Sequence, residues 1–547
     1  MVARFGAVEA LHRDDPAVFI SLATAAEVRA HAEALDRDAP LAGWLVAVED
    51  NIDAVPFPTT AACEAFERRP ARSATVVERA EAGGAVIVGK TNLDQFATGL
   101  VGTRSPYGTP RNPVHGDLVP GGSSSGSAVA VARGVVDGAF GTDTAGSGRV
   151  PAAQCRIVGL KPTRGRLPAT GVVPAVRTVD AVSVFARSVG DAWRLFRAVD
   201  GDDGEDPLGR RRPRREPRDL GIVGVPVEVD LDGPLDRDAW ERTIAAVAEL
   251  GVDVVEVDVS SLVEAGTLLY DGPWVVERAM VAGPTAAEWP SSIDPVVGEI
   301  LRGAADRTAA DVFAGIHALA SATRRVERIW DEVGVLLLPT TPGPATIAEV
   351  EADPIGRNAR LGRYTTFANL LDTAVISVPG ADRRDGLPFG LSIVGPAWSD
   401  EDVAAFGARV LGEPASIVDD DALPIAVVGA HLRGQPLNGA LRSLRASFEC
   451  TTATSSAYRL YELPGGPPRR PGLVRSDGGA EVEVEVWRVP RSRVGDLLAT
   501  IPSPLGLGPV ELRDGRVVHG FLCEAAAVGA AVDITAFGGW RAYLAAG

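Results

Sequence analysis

Lysine is nearly missing from this chain of 547 residues: of its 54 Lys+Arg, only Lys90 and Lys161 are lysines. Cysteine is scarce as well. Cys63, Cys155, Cys450 and Cys523 lie far apart with no C-x-x-C pair, which argues against a disulfide frame or a thiolate zinc site and for reduced thiols in a cytoplasmic protein. The chain has no apolar run long enough to span a bilayer; the stretch Ser127–Gly141, for instance, is broken by Arg133 and Asp137. Its first residues carry Glu9, Asp14 and Asp15, unlike a secretory leader. Positive charge is in deficit too: 54 Lys+Arg against 72 Asp+Glu leave −18, which argues against nucleic acid or an anionic membrane as the main partner.

What is present is apolar and long. With 46% hydrophobic residues, 61 Gly and 40 Pro, two domains are expected. Gly201–Arg218 (GDDGEDPLGRRRPRREPR) holds nothing apolar enough for a core and reads as a solvated loop rather than a nucleic-acid patch. The acidic run before Pro424 sets the boundary: a first domain over 1–418, a linker over 419–424 and a second domain over 425–547. In the first, β-type runs such as Val86–Gly89 and Val335–Leu338 alternate with helical patterns at Asp236–Leu250 and Ala309–Glu332, which predicts an α/β domain around a buried sheet. In the second, Glu481–Val489 alternates strictly, a strand with one wet face, among Pro/Gly clusters. A small, mostly β domain of barrel type is expected there.

The chemistry concentrates in PGGSSSGSAVAVARGVVDGAFGTDTAGSGRVPAAQC, from Pro120 to Cys155. Two Gly/Ser loops, Gly121–Ser127 and Gly141–Gly148, flank an apolar helix expected over Ala128–Val136. Small residues let backbone N–H groups approach a ligand, and the hydroxyls offer a nucleophile and a proton relay. The phosphate-loop patterns G-x-x-x-x-G-K-[ST] and G-x-G-x-x-G in a strand-to-helix turn are absent.

GGSSSGSA followed by GTDTAGS, with 24 residues from Ser123 to Ser147, resembles the amidase signature family. So do IVGLKPTRG (Ile157–Gly165), LLLPTTP (Leu336–Pro342) and LPFGLSIVGP (Leu387–Pro396), so the resemblance covers nearly all of the first domain. It implies an α/β fold with a mixed central sheet covered by helices, and amide hydrolysis by a Ser–cis-Ser–Lys triad without metal or organic cofactor. Carried over, Ser147 is the nucleophile and Ser123 the bridging serine after a cis peptide bond. The N–H groups of Thr144, Ala145 and Gly146 form the oxyanion hole, and Gly122 is a substrate-binding residue.

One position departs from that pattern. The family's lysine motif V-K-D-N matches Val48-Glu49-Asp50-Asn51, so Glu49 stands where the lysine is expected. A carboxylate can accept a proton, but its charge opposes an alkoxide and an oxyanion. Lys90 and Lys161 lie in stretches that match the family around them and keep their own roles. Three readings stand: an impaired site, which the sequence favours because triad members act as a unit; Glu49 as a surrogate base; or a sequence variant.

Two further features resemble allophanate hydrolases. In LLYDGPWVVERAMV, Tyr270 and Arg278 are eight residues apart, two turns if the segment is helical, and an arginine there reads a planar carboxylate. In the tail, VVGAHLRGQPLN (Val427–Asn438), YRLYELP (Tyr458–Pro464), FLCE (Phe521–Glu524) and ITAFGGWRAYL (Ile534–Leu544) are similar to the family's C-terminal domain, with a looser likeness to γ-glutamylcyclotransferase-like barrels. His431 is then a catalytic residue of that domain, with no companion assigned. The resemblance implies hydrolysis of allophanate to ammonia, processing of the product to carbamate and carbon dioxide, and a urea carboxylase as functional partner in urea degradation; a homodimer is expected as the commonest oligomer. The alternatives are an impaired, amidase-like protein that binds a small acidic amide, and an amidase for another small amide.

Overall fold

The computed structural model describes residues 2–34, 36–213, 218, 220–413, 422–444 and 446–546. They form two compact units, one ending at Glu413 and one whose described residues begin at Ala422.

The first unit is built on one sheet of eleven strands: β1 Phe19–Leu22, β2 Leu45–Glu49, β3 Val86–Thr91, β4 Gly138–Asp143, β5 Val158–Lys161, β6 Ala181–Ala186, β7 Ile222–Pro226, β8 Asp253–Val257, β9 Val335–Pro339, β10 Ala374–Pro379 and β11 Gly390–Gly395. Their order is β1-β3-β2-β4-β6-β5-β10-β11-β9-β7-β8. Pairing is parallel for β3-β2-β4 and β9-β7-β8 and antiparallel elsewhere, so the sheet is mixed. Strands β2, β3, β4, β5, β6, β9 and β11 are buried at every residue, as a sheet covered on both faces requires. The chemistry then sits where β2 and β4 end side by side, at Glu49 and Asp143.

The helices differ from the sequence pattern where glycine or proline intervenes. The apolar helix is Ser125–Ala132 rather than Ala128–Val136. It stops before Gly134, whose φ of +70° is left-handed and ends a helix. Its start inside the Gly/Ser loop needs Gly126, because a Cβ there would lie 2.3 Å from the Val18 carbonyl. The patterns at 236–250 and 309–332 appear as Pro234–Ala248 and as Ala309–Val326 followed by Ile329–Glu332. Of the Arg-rich stretch, residues 214–217 lie outside the described residues. The part before them is pinned: Arg79 donates to the carbonyls of Val199, Gly201 and Asp202, and Arg210 pairs with Asp372 at 2.6 Å.

The second unit holds β12 Ala422–Val427, β13 Ser447–Ala453, β14 Tyr458–Leu463, β15 Arg470–Arg475, β16 Glu483–Pro490, β17 Leu505–Glu511, β18 Val517–Cys523 and β19 Val532–Asp533. Of the expected linker, residues 419–421 lie outside the described residues, and Ala422 to Pro424 already pair with β16. The strands form two sheets, β13-β16-β12-β18-β17 and β15-β14-β19, around Tyr458, Trp487 and Trp540. The unit is β-rich as expected, but its ladders do not close into one barrel among the described residues. Nor does β16 keep a wet face. It lies between β13 and β12, and the buried Glu485 accepts from Arg433, Arg541 and the Trp487 indole. Among the described residues, no helix is long and apolar enough to cross a membrane.

Candidate active site

Glu49, the last residue of β2, is fully buried and surrounded by donors. The Ser123 hydroxyl donates to Oε1 at 3.2 Å. Oε2 accepts from the Ser124 hydroxyl at 2.9 Å, the Thr142 hydroxyl at 3.0 Å and the Thr142 amide at 2.5 Å. None of these donors is a cation. Burial therefore dominates and pushes the carboxyl up to about 7, although the Ser124, Thr142 and Ser123 hydrogen bonds favour its charged form. Ser123 follows a cis peptide bond from Gly122, as the family resemblance implied.

Neither lysine replaces the missing amine. Lys90 is the register partner of Val48, not of Glu49, so its side chain leaves β3 on the opposite face. There it pairs with Asp50 at 3.3 Å and donates to the Pro58 carbonyl and Thr59 hydroxyl. Lys161, on β5, donates to the Pro162 carbonyl, and burial pushes it down to about 8.

The loop after β4 carries Ser147, whose buried hydroxyl has no hydrogen-bond partner among the described residues. Below it Asp143 and Arg149 form a buried bidentate ion pair, Nε–Oδ2 2.9 Å and Nη2–Oδ1 2.8 Å. The same carboxylate accepts the amides of Gly146 at 3.0 Å and Gly148 at 2.9 Å. This alters one expectation: the Gly146 N–H is engaged with Asp143. Among the described residues, the amides of Thr144 and Ala145 make no hydrogen bond and remain available to an oxyanion. Gly146 is required for a different reason. Its φ is +133°, and a Cβ there would lie 2.3 Å from the Thr365 hydroxyl, which donates to the Ala145 carbonyl at 2.7 Å.

Tyr270 and Arg278 come together, though not on one helix. The helix begins at Trp274, so Tyr270 precedes it, and the turn through Gly272 and Pro273 makes the approach. A Cβ on Gly272 would lie 2.2 Å from the Leu268 carbonyl, so only glycine fits. The Arg278 guanidinium carbon lies 5.6 Å from the centre of the Tyr270 ring. Its Nη1 donates to the Thr98 hydroxyl at 2.7 Å and the Ala97 carbonyl at 3.2 Å. Its Nη2 and the Tyr270 hydroxyl are both buried without a hydrogen-bond partner among the described residues. Tyr270 packs against the apolar cluster that includes Ala145, which joins this pair to the nucleophile loop.

Several residues of the site were not singled out from the sequence. Asp94 accepts the amides of Val101, Gly102 and Arg104 and donates its own amide to the Ser123 carbonyl. A Cβ on Gly122 would lie 2.1 Å from Asp94, so the pair fixes the turn before Ser123. Asp180 accepts the Thr144 hydroxyl, and burial lifts it to about 6 against the pull of Thr144, the Val176 amide and the nearby charge of Arg278. Asp94, Asp143 and Arg149 all lie inside motif stretches, but nothing in their type or spacing separates them from their neighbours.

In the second unit, His431 stacks on Phe521 with ring centres 4.9 Å apart, beside a cavity of about 550 Å³ that Gly429, Arg470 and Thr500 also line. Burial depresses its pKa, so the imidazole is neutral at physiological pH. Among the described residues, no cluster of three His, Cys, Asp or Glu side chains is arranged to hold a metal ion.

Among the described residues, a buried serine without a partner, two unengaged amides in the same loop and a cis-bonded serine donating to a buried carboxylate make a candidate serine amidase site. The chain belongs to the amidase family, whose model matches residues 8–404. The allophanate hydrolase C-terminal domain follows at residues 423–545. Urea amidolyase of Saccharomyces cerevisiae is 40% identical over 542 residues, covering 92% of this chain but 30% of its own length. The chain thus spans under a third of that relative. The structure of Kluyveromyces lactis allophanate hydrolase is 38% identical with a TM-score of 0.82, covering 100% of this chain and 96% of its own. The A subunit of glutamyl-tRNA(Gln) amidotransferase from Thermus thermophilus is 34% identical over 423 residues, 71% of this chain and 88% of its own.

Proposed function

We propose that the first unit hydrolyses the terminal amide of allophanate and that Glu49 is the terminal proton acceptor. The observation that carries this reading is that, among the described residues, Ser147 Oγ, Tyr270 OH and Arg278 Nη2 are buried without hydrogen-bond partners. A buried donor left unpaired costs about 1–3 kcal/mol, more when charged, so such atoms persist where a ligand completes them. A guanidinium with one arm fixed by Thr98 and the other unpaired suits a carboxylate, and allophanate places a carboxylate beside an amide.

In this mechanism Ser147 Oγ attacks the amide carbonyl and its proton passes through Ser123 to Glu49. The Thr144 and Ala145 amides hold the oxyanion. Ammonia leaves with a proton, and water then cleaves the acyl-serine to give N-carboxycarbamate. Ser123 already donates to Glu49, the direction this transfer needs. The carboxylate near 7 is a competent base at neutral pH. Once it has taken the proton Glu49 is neutral, whereas an amine would become an ammonium that stabilises the oxyanion, so turnover is slower than with an amine at this position.

The second unit, with neutral His431 beside its cavity, processes N-carboxycarbamate towards carbamate and carbon dioxide. A urea carboxylase supplies the substrate, and the protein works as a cytoplasmic homodimer. The likeness to urea amidolyase and to allophanate hydrolase over both units supports allophanate as the substrate. Ammonia release from allophanate by the purified protein tests it; a panel of uncharged amides cleaved faster than allophanate would overturn it.

A further inference from the structure

The antiparallel ladder of β4 and β6 ends at the pair Asp143–Ala181. Continued by one residue, the same register sets Thr144 opposite Asp180. There side chains take over from the backbone: the Thr144 hydroxyl donates to Asp180 Oδ1 at 2.5 Å. Asp180 is itself fixed by the Ala175 amide at 2.7 Å and the Val176 amide at 3.1 Å. A second stitch lies beside the first, where Asn369 Nδ2 donates to the carbonyls of Asp143 at 2.6 Å and Val179 at 2.9 Å. The two chain segments are therefore tied on both sides of the point where the ladder stops. Thr144 carries one of the two amides left open to an oxyanion, and Asp180 is the only side chain bonded to it among the described residues.

We propose that Asp180 is a positioning residue: by holding the Thr144 hydroxyl beyond the end of the sheet, it aims the Thr144 amide at the oxyanion of the tetrahedral intermediate. The inference rests on the proposed amide hydrolysis at Ser147. It concerns the intermediate rather than the bound substrate, so its signature is a loss of transition-state affinity with ground-state binding unchanged.

A small boronic acid, which forms a tetrahedral adduct with a serine hydroxyl and places an oxygen in the oxyanion hole, separates the two. Its affinity is measured for the native protein, Ser147→Ala, Thr144→Val, Thr144→Ser and Asp180→Ala, beside KM and kcat for allophanate. Thr144→Val, which keeps the shape and removes the hydroxyl, is expected to weaken the boronate and lower kcat about ten- to hundredfold, with KM within about twofold. Thr144→Ser recovers most of the loss. Asp180→Ala in the Thr144→Val background adds little, because both changes cut one link. Unchanged boronate affinity in Thr144→Val, or fully additive losses in the double variant, overturns the proposal. A native protein that releases no ammonia from allophanate yet binds the boronate through Ser147 contradicts the substrate reading alone. Absence of a native adduct overturns both.

Discussion

Glu49 and Asp143 end neighbouring parallel strands, both fully buried, yet their surroundings make them different instruments. Asp143 meets a guanidinium in a bidentate pair and two backbone amides, so its charge is matched and its geometry locked. Glu49 meets three hydroxyls and one amide and no cation, so its charge is solvated but not neutralised, and its carboxyl moves up to about 7. The first clamps the loop that carries Ser147. The second accepts a hydrogen bond from Ser123 and, in the proposed mechanism, its proton. Whether a buried carboxylate is scaffold or reagent is decided by a cation one residue-length away.

The comparison can be sharpened at each point, beginning with the residue both carboxylates serve. Ser147→Ala is expected to remove ammonia release down to background, a loss on the order of 10⁶-fold, while the melting temperature stays near that of the native protein. Asp143→Ala breaks the scaffold instead. It leaves the Arg149 guanidinium buried and unpaired and is expected to cost about 3–5 kcal/mol of unfolding free energy, read by denaturant titration. Retained stability in that variant would put Asp143 in the same class as Glu49. Arg278→Leu has the smallest expected effect: KM for allophanate rises roughly 10- to 100-fold while an uncharged amide is little affected, since only the anion uses the fork. Equal changes for both substrates would show that Arg278 does not read the carboxylate.

Much of this was legible in the sequence, because glycine, serine and proline in the motif stretches constrain the backbone directly. The roles of Ser123 and Ser147 and the cis bond were implied by the family resemblance that these stretches carry. Tyr270 and Arg278, by contrast, were expected to meet along one helix and meet instead through the turn at Gly272 and Pro273. The substitution at position 49 was also plain. Its consequence was not, since the four donors that meet Glu49 come from Ser123, Ser124 and Thr142, brought to it by strand order. Asp180 was invisible for the same reason: it reaches Thr144 only through the β4–β6 register. The occupied Gly146 amide shows the limit of carrying a role over residue by residue, because a neighbouring carboxylate claims the donor.

The central claim is that Glu49 takes the proton of Ser147 through Ser123. The most direct test is the initial rate of ammonia release from allophanate across roughly pH 5.5 to 8.5 for the native protein, Glu49→Gln and Glu49→Lys. The base acts only as a carboxylate, so the native rate should fall as pH drops through about 7 and level off above it. Glu49→Gln, which keeps the shape and removes the base, should lose about 10²–10⁴-fold, and Glu49→Lys should exceed the native rate because the ammonium formed on proton transfer favours the oxyanion. A native rate flat across that range, with Glu49→Gln as active as the native protein, would contradict the claim.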